Sequence, residues 1–269
     1  MTSQQPVDIH GKPYNRSLLV GVLLIGTFCT ILNQTLLTTA LPTLMKEFDI
    51  SASSVQWLTT GFLLVNGIMI PISAWLINKF SSKKLYITAM STFLIGTIIC
   101  FVAQDFGMLL TGRLVQAAGV GVSMPLLQTI MLSIFPPEKR GAAMGTTGIV
   151  IGLAPALGPT LSGWIIDSYT WRDLFGMVIP IVVLVLILAS FLMKNVIQLS
   201  NPSIDVLSVI LSTLGFGSLL YGFSSVGDKG WGSPQVYGFL IVGAIVLCLF
   251  TYRQLHLEQP FLELRVFKS

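Results

Sequence analysis

In this chain of 269 residues, 53% of side chains are hydrophobic and only 10% charged, and the mean hydropathy is +0.82. A water-soluble domain of this length needs a charged shell that these residues cannot supply. The net charge of +4 is spread along the chain, without the clustered basic face of a nucleic-acid-binding protein, so nucleic acid is not expected as a partner.

Residues 1–16 are polar, with Pro6, Gly11 and Pro13, and read as a mobile cytoplasmic tail. Eight hydrophobic runs follow: Leu18–Leu41, Val55–Ile77, Leu85–Ala103, Gly107–Phe135, Arg140–Ile166, Leu174–Met193, Val206–Ser225 and Val236–Tyr252. Each can cross a ~30 Å hydrocarbon core, which takes about 20 helical residues. Helix is required because lipid offers no partner to backbone N–H and C=O groups. The fold class is therefore all-α, a polytopic membrane protein. The first six runs are joined by tight loops and form one bundle over residues 17–195. The softer stretch Gln198–Ser203, with Asn201-Pro202, sets off two further helices within 196–258. Residues 259–269 form a cytoplasmic segment, and its basic end, Arg265 to Ser269, looks like the approach to another span.

The loops carry an orientation signal. Lys12, Arg16, Lys79, Lys83, Lys84, Lys139, Arg140, Lys194, Arg253, Arg265 and Lys268 fall on one side, against Lys46, Arg172 and Lys229 on the other. Basic loops stay inside, so both termini are expected in the cytoplasm. Trp171 and Trp231 then fall at the outer headgroup level, which amphipathic rings favour. Cys29, Cys100 and Cys248 all lie within spans, lack metal spacing, and read as small packing residues.

No catalytic set can be assembled: the two histidines are His10 and His256, and no nucleophile triad, metalloprotease or phosphate-loop motif is present. An enzyme is not expected, nor is a cofactor or metal. Arg113 is the only ionisable side chain deep inside a span. Such a charge faces the bundle interior or a wet cavity and commonly marks a transport path; the plainer alternative is snorkelling towards headgroups. In the first span Thr27, Thr30, Gln34 and Thr38 recur on one helical face, which lipid would turn inward. Asn33, beside that stripe, lies ~12 Å from the outer end. Arg113, on a span running the opposite way, comes to nearly the same depth, so the two can meet. Gln116 is one turn on from Arg113, and Gln56, Thr60 and Asn66 make a weaker polar stripe on the second span. For each of these the plainer reading is hydrogen bonding between helices, ~0.6 kcal/mol apiece.

The fifth span is dense in small residues. Gly141–Gly145, Gly148–Gly152 and Gly158–Ser162 are four-residue pairs, with Gly163 beyond them and Pro155 and Pro159 in the same stripe. A stripe with so little side chain admits another helix closely, and the two prolines each remove a backbone donor. Tight static packing and a sliding seam both fit this pattern.

Together these residues resemble the major facilitator superfamily, and within it the drug:proton antiporters with fourteen spans. Asn33 through Pro42 looks like the motif that closes that group's first span. Ala74 through Lys84, with Asn78, Lys79 and Lys83, resembles the loop motif between spans two and three. Arg113-Leu114-Val115-Gln116 is similar to the fourth-span motif, Gly148 through Gly163 to the antiporter motif of span five, and Trp171 through Phe175 with Pro180 to the start of span six. The last two helices look like the pair that separates fourteen-span from twelve-span members. The resemblance implies proton-coupled export of lipophilic compounds across the plasma membrane. It implies a proton-coupling role for Arg113, with Asn33, Gln34, Gln116 and Asn66 as cavity candidates. Asn78, Lys79, Lys83, Gly148, Gly152, Pro155, Gly158, Pro159 and Gly163 become conformational candidates. It implies as partners the lipid bilayer, a small lipophilic substrate, protons, and a C-terminal half that these residues lack. Two residue types depart from the pattern: Asn33 and Asn78 stand where the family often has acids, and Ser81 replaces the loop's second glycine. The alternative reading is a truncated membrane subunit that transports nothing by itself.

Overall fold

The computed structural model describes residues 6–200 and 205–257. Apart from an isolated bridge between Val7 and Pro13, the regular structure among them is helical: α1 Arg16–Phe48, α2 Ala52–Lys79, α3 Ser82–Phe101, α4 Phe106–Ile134, α5 Pro137–Ser168, α6 Asp173–Gly176, α7 Val178–Leu192, α8 Val206–Lys229 and α9 Pro234–His256. The short α6 and α7 make one apolar stretch, Asp173–Leu192, so eight helices are long and apolar enough to cross a membrane. All eight expected runs are present.

Their ends differ from the hydropathy boundaries because capping, not hydrophobicity, stops a helix. α1 was expected to close at Leu41, before Pro42. It continues through Pro42 to Phe48 and stops where Asp49 turns left-handed, at φ 50°, and returns its N–H to Met45 O. A proline in a long span removes one hydrogen bond that its neighbours can replace. At the starts, Asn15, Ser51, Asp105 and Asp205 accept backbone N–H groups of α1, α2, α4 and α8.

The helices pack where side chains are small. α3 and α4 lie against one another with Gly96 over Gly112, and a Cβ added at Gly96 would come 2.5 Å from Gln116 N. A Cβ on Gly119 would come 2.4 Å from Ala89 O. α2 covers α4 from another side, and α1 packs on α5 and α7. α8 and α9 pair with each other, and α8 leans on α2. Leucines 219, 240 and 247 fill the spaces left by Gly243, Gly222 and Gly215.

Each end of the bundle is stitched. At one, Lys83 Nζ donates to Ser190 O in the last turn of α7 (2.5 Å), Lys83 N to Asn195 Oδ1 (3.3 Å), and Ser200 N to Asn78 O (3.2 Å). The N-terminal segment joins this end. Residues 6–15 were expected to be mobile, yet Asp8 accepts the backbone N–H groups of His10 and Lys12, and Ile9 N donates to Asn195 O. Those N–H donors, Lys12 first, hold the Asp8 carboxyl below the usual carboxylate range. At the other end Arg172 pairs with Glu47 at 3.0 Å, donates to Ala103 O and stacks over Trp171. Trp171 does not sit among headgroups as expected. It is 2% exposed, between Phe48 and Phe175, because the α5–α6 turn tucks it under the end of α1. Trp231 is exposed. Cys248 is also exposed, so only Cys29 and Cys100 act as packing residues.

The fifth-span stripe divides. Ala143, Thr147, Ala154, Gly158, Ser162 and Ile165 are the buried face of α5. Ser162 Oγ donates to Leu36 O (2.8 Å), and a Cβ on Gly158 would meet Thr35 Oγ1 at 2.3 Å. Gly141, Gly145, Gly148, Gly152 and Gly163 have open space around them, and Pro155 and Pro159 are exposed. Gly158 therefore does not share a stripe with the prolines. At ~100° per residue it lies about a quarter-turn from Pro159.

Gly158→Val should force α1 and α5 apart and destabilise by about 1–3 kcal/mol, whereas Gly148→Ala and Gly152→Ala should not. Monodisperse yield in mild detergent ranks the three; equal yields would show that the Thr35 contact does not hold these helices. Asp205 tests the second pair. Arg253, donating through Nε (2.9 Å) and Nη2 (3.0 Å), holds its carboxyl below the ordinary range. That contribution is present above the unfolded pKa of ~3.9 and is lost as pH falls through the lower folded value. Asp205→Asn should therefore lower the melting temperature at pH 7, and the gap to wild type should close towards pH 3.

Candidate functional site

Four helices meet at Arg113, which is 1% exposed in the middle of the bundle. Its Nη1 donates to Asn33 Oδ1 of α1 (3.0 Å) and to Gln116 Oε1 of its own helix (2.6 Å). Nε reaches Leu58 O of α2 at 3.5 Å, the outer limit of a hydrogen bond. The guanidinium carbon stands 4.2 Å from the centre of the Phe62 ring, also on α2. Gln116 Nε2 passes the chain on to Thr97 Oγ1 of α3 (2.8 Å), and that hydroxyl ends on Phe93 O (2.7 Å). The encounter of Asn33 with Arg113 that equal depth allowed is present.

Local sequence explains why the network closes. Gln116 and Arg113 are three apart and share a face of α4. Gly112 and Gly96 let the α3 and α4 backbones approach until Thr97 lies within reach of Gln116. Phe62 gives the cation a ring face, worth up to ~2 kcal/mol where water is excluded. No carboxylate joins the network: both ion pairs among the described residues, Arg172–Glu47 and Arg253–Asp205, lie elsewhere. A buried guanidinium held only by neutral oxygens and a ring is an uncompensated positive charge. Beside it, Asn33 Nδ2 is buried and has no hydrogen-bond partner. Chemically the site is a fixed cluster of donors with spare capacity for an oxygen acceptor. Its own side chains carry no group that titrates near neutrality.

The other candidates sit apart from it. Gln34 is half-buried and makes none of Arg113's hydrogen bonds. The stripe on α1 is not buried as a whole: Thr27 and Thr30 are buried, but Thr38 is exposed. The hydroxyls of Thr30, Thr35 and Thr38 bond to carbonyls of their own helix, so they need no partner across the bundle. Asn66 belongs to a different contact, where its side-chain oxygen lies 3.2 Å from a Cβ built on Gly121. Gln56 lines a small polar pocket with Ser224, and Thr60 accepts from Ser224 (3.3 Å). Asn78 donates to Ala74 O of its own helix (2.9 Å). Lys79 is the basic residue in the last turn of α2, and Lys83 is engaged with α7. Thr97 and Phe62 are members that the sequence reading missed. The signal for Thr97 was the adjacent Gly96; Phe62 carried none beyond its place on α2.

The comparisons with known proteins agree with this architecture. The family model described as Major Facilitator Superfamily matches residues 23–261. The chain belongs to the major facilitator superfamily. It is 59% identical over 260 residues to the uncharacterized MFS-type transporter YcnB of Bacillus subtilis, covering 97% of this chain and 55% of that one. To the lincomycin resistance protein LmrB of the same organism it is 46% identical, covering 93% and 53%. To the multidrug export protein EmrB of Escherichia coli it is 31% identical, covering 96% and 51%. The chain spans about half the length of these curated relatives. Among solved structures a peptide transporter POT in complex with sulfate superposes with a TM-score of 0.67 at 15% identity, covering 95% of this chain and 55% of that one. At that identity the likeness speaks for the fold alone. The protein is thus a multi-pass membrane member of a transporter family.

Gln116→Leu keeps the volume but removes the amide, leaving Arg113 Nη1 with Asn33 alone and Thr97 with Phe93 O alone. It should cost about 1–3 kcal/mol, the penalty for leaving a buried polar partner unsatisfied. Thermal unfolding in detergent reads this; an unchanged melting temperature would mean that the relay between α3 and α4 bears no load.

Proposed function

We propose that this chain is the N-terminal part of a proton-coupled exporter of lipophilic compounds in the plasma membrane. Residues 17–195 form its six-span bundle and 196–258 its linker pair, while 1–16 and 259–269 lie in the cytoplasm. The observation that carries this reading is the buried, acid-free Arg113 network, in a chain 46% identical to a lincomycin resistance protein and 31% to a multidrug export protein. A membrane charge this costly is kept where it serves transport. It is a carrier rather than an enzyme, with substrate and protons as its small partners.

Arg113 acts here as a fixed positive centre whose hydrogen bonds are remade as the proton moves. With Asn33 as its neighbour, the acid that carries the proton lies outside the described residues. Alternating access requires a second half to rock against this one. The open stripe of α5, with Gly148, Gly152, Pro155, Pro159 and Gly163, is the face offered to it, while Gly158 fixes α5 to α1. Asn78, Lys79 and Lys83 fasten the cytoplasmic end, and Asn66 and Gln34 are the cavity candidates outside the network.

Arg113→Ala, made in the protein together with whatever completes its second half, should leave membrane abundance within about two-fold and reduce proton-driven efflux of a fluorescent lipophilic compound at least ten-fold, the rate equivalent of ~1.4 kcal/mol. Normal efflux at normal abundance would remove Arg113 from the mechanism. A second reading, a membrane subunit that does not transport, predicts no efflux from vesicles holding the wild-type protein.

A further inference from the structure

Between α2 and α3, floored by α4, runs a groove of about 290 Å³. Leu76 and Phe80 form one wall, Leu85 and Ala89 the other, and Val122 lies in the floor. The two threonines on the α3 wall add little polarity: Thr92 Oγ1 donates to Thr88 O within the helix (2.9 Å). The one charged side chain that lines the groove is Lys84, exposed in the first turn of α3. Lys84 enters neither of the two ion pairs found among the described residues. No acidic residue stands between Asn78 and Lys84 to neutralise it, and Lys79 and Lys83 precede it in sequence.

These features select an occupant by size and charge. From Lys84 to Thr92 the wall extends ~12 Å along α3, from the end of the span into hydrocarbon depth. Spread over that length, the slot is narrower than a helix ~10 Å wide, which would rest on its rim and leave it unfilled. A polar solute would lose its water against apolar walls without gaining hydrogen bonds. A single hydrocarbon chain fits the slot, and a phosphate fits its basic mouth, where the N-terminal end of α3 adds a positive field. We propose that this groove is a phospholipid site, with one acyl chain between α2 and α3 and the headgroup phosphate at Lys84. Naming the lipid's leaflet, the cytoplasmic one, rests on the orientation proposed above; the groove itself does not.

Native mass spectrometry of the protein released from membranes in mild detergent tests this. Wild type should retain one phospholipid. Thr88→Trp, which fills the slot from an exposed position, should lose it, and so should Ala118→Phe, which fills the floor. Lys84→Glu should reduce retention of phosphatidylglycerol about five-fold, the equivalent of the ~1 kcal/mol that one basic residue contributes at an anionic headgroup, while Lys84→Arg should keep it. Melting temperatures near wild type establish that the variants are folded. Equal retention by wild type and both blocking variants overturns the acyl-chain site. Retention untouched by Lys84→Glu overturns the phosphate contact. Displacement by inorganic phosphate alone would show a headgroup-only site and overturn the proposal as stated. Efflux is not read, so failure of the export function and failure of the lipid site give separate results.

Discussion

A guanidinium in hydrocarbon surroundings must find its hydrogen-bond acceptors inside the protein. Arg113 finds them on three spans: Asn33 on α1, Leu58 on α2 and Gln116 on its own α4, with Thr97 of α3 one step beyond. Much of the packing follows from that demand. The amide of Gln116 reaches Thr97 only because α3 and α4 touch backbone to backbone at Gly96 and Gly112, where a Cβ on Gly112 would sit 2.9 Å from Gly96 O. Phe62 closes the remaining side with a ring face rather than a charge. The result is a charge that is solvated but not neutralised, and this distinguishes it from an ordinary buried ion pair. A neutralising carboxylate would lower the energy of one arrangement and hold it there. Neutral acceptors and an unsatisfied Asn33 Nδ2 leave the cluster open to a further oxygen.

The same economy appears in α5, whose two faces do different work. One face is committed to α1 through Ala154, Gly158 and Ser162. The other carries Gly148 and Gly152, with open space around them, and the exposed Pro155 and Pro159. α5 runs unbroken through both prolines, so they do not end the helix. They remove donors from a face that has almost no side chains. A close, low-friction contact with another helix needs such a surface, and it sits beside a firmly anchored face on the same helix.

Hydrophobic run length made the eight spans legible, because a bilayer imposes a minimum length and a helical backbone whatever the side chains. Equal depth brought Asn33 and Arg113 together correctly, because antiparallel helices in a slab of fixed thickness turn residue counts into heights. Rotation about the helix axis was much less legible. Thr38 lies on the same stripe as Thr30 yet is exposed, and Gly158 lies beside Pro159 yet is buried. Both outcomes depend on which neighbour the helix leans against, and no count along one helix contains that. Trp171 was misplaced for a related reason: a tryptophan near a span end satisfies the membrane interface and a buried aromatic cluster equally well until the α5–α6 turn decides between them. Caps and hydropathy agreed on helix ends only in part: α4 starts at Phe106, behind Asp105, one residue from the expected Gly107, but α2 starts at Ala52, behind Ser51, well before the expected Val55.

Charge at the two ends of the bundle follows a division that the interior explains. The interior tolerates one cation, so the remaining basic residues collect in loops, where several become fasteners instead of bystanders. Lys83 spans from α3 to the terminal carbonyls of α7, favourable because a cation there also meets the negative end of a helix. Asn195 receives both Lys83 N and Ile9 N, so the N-terminal segment, α3 and α7 share one anchor. Arg172 does the corresponding work at the opposite end, tying α1 to the α3–α4 loop through Glu47 and Ala103 O. With both ends tied and a charged centre bonded to three spans, α1 to α4 and α7 are cross-linked by hydrogen bonds at both ends and in the middle. What those bonds leave exposed is the open face of α5 and the outer faces of α8 and α9.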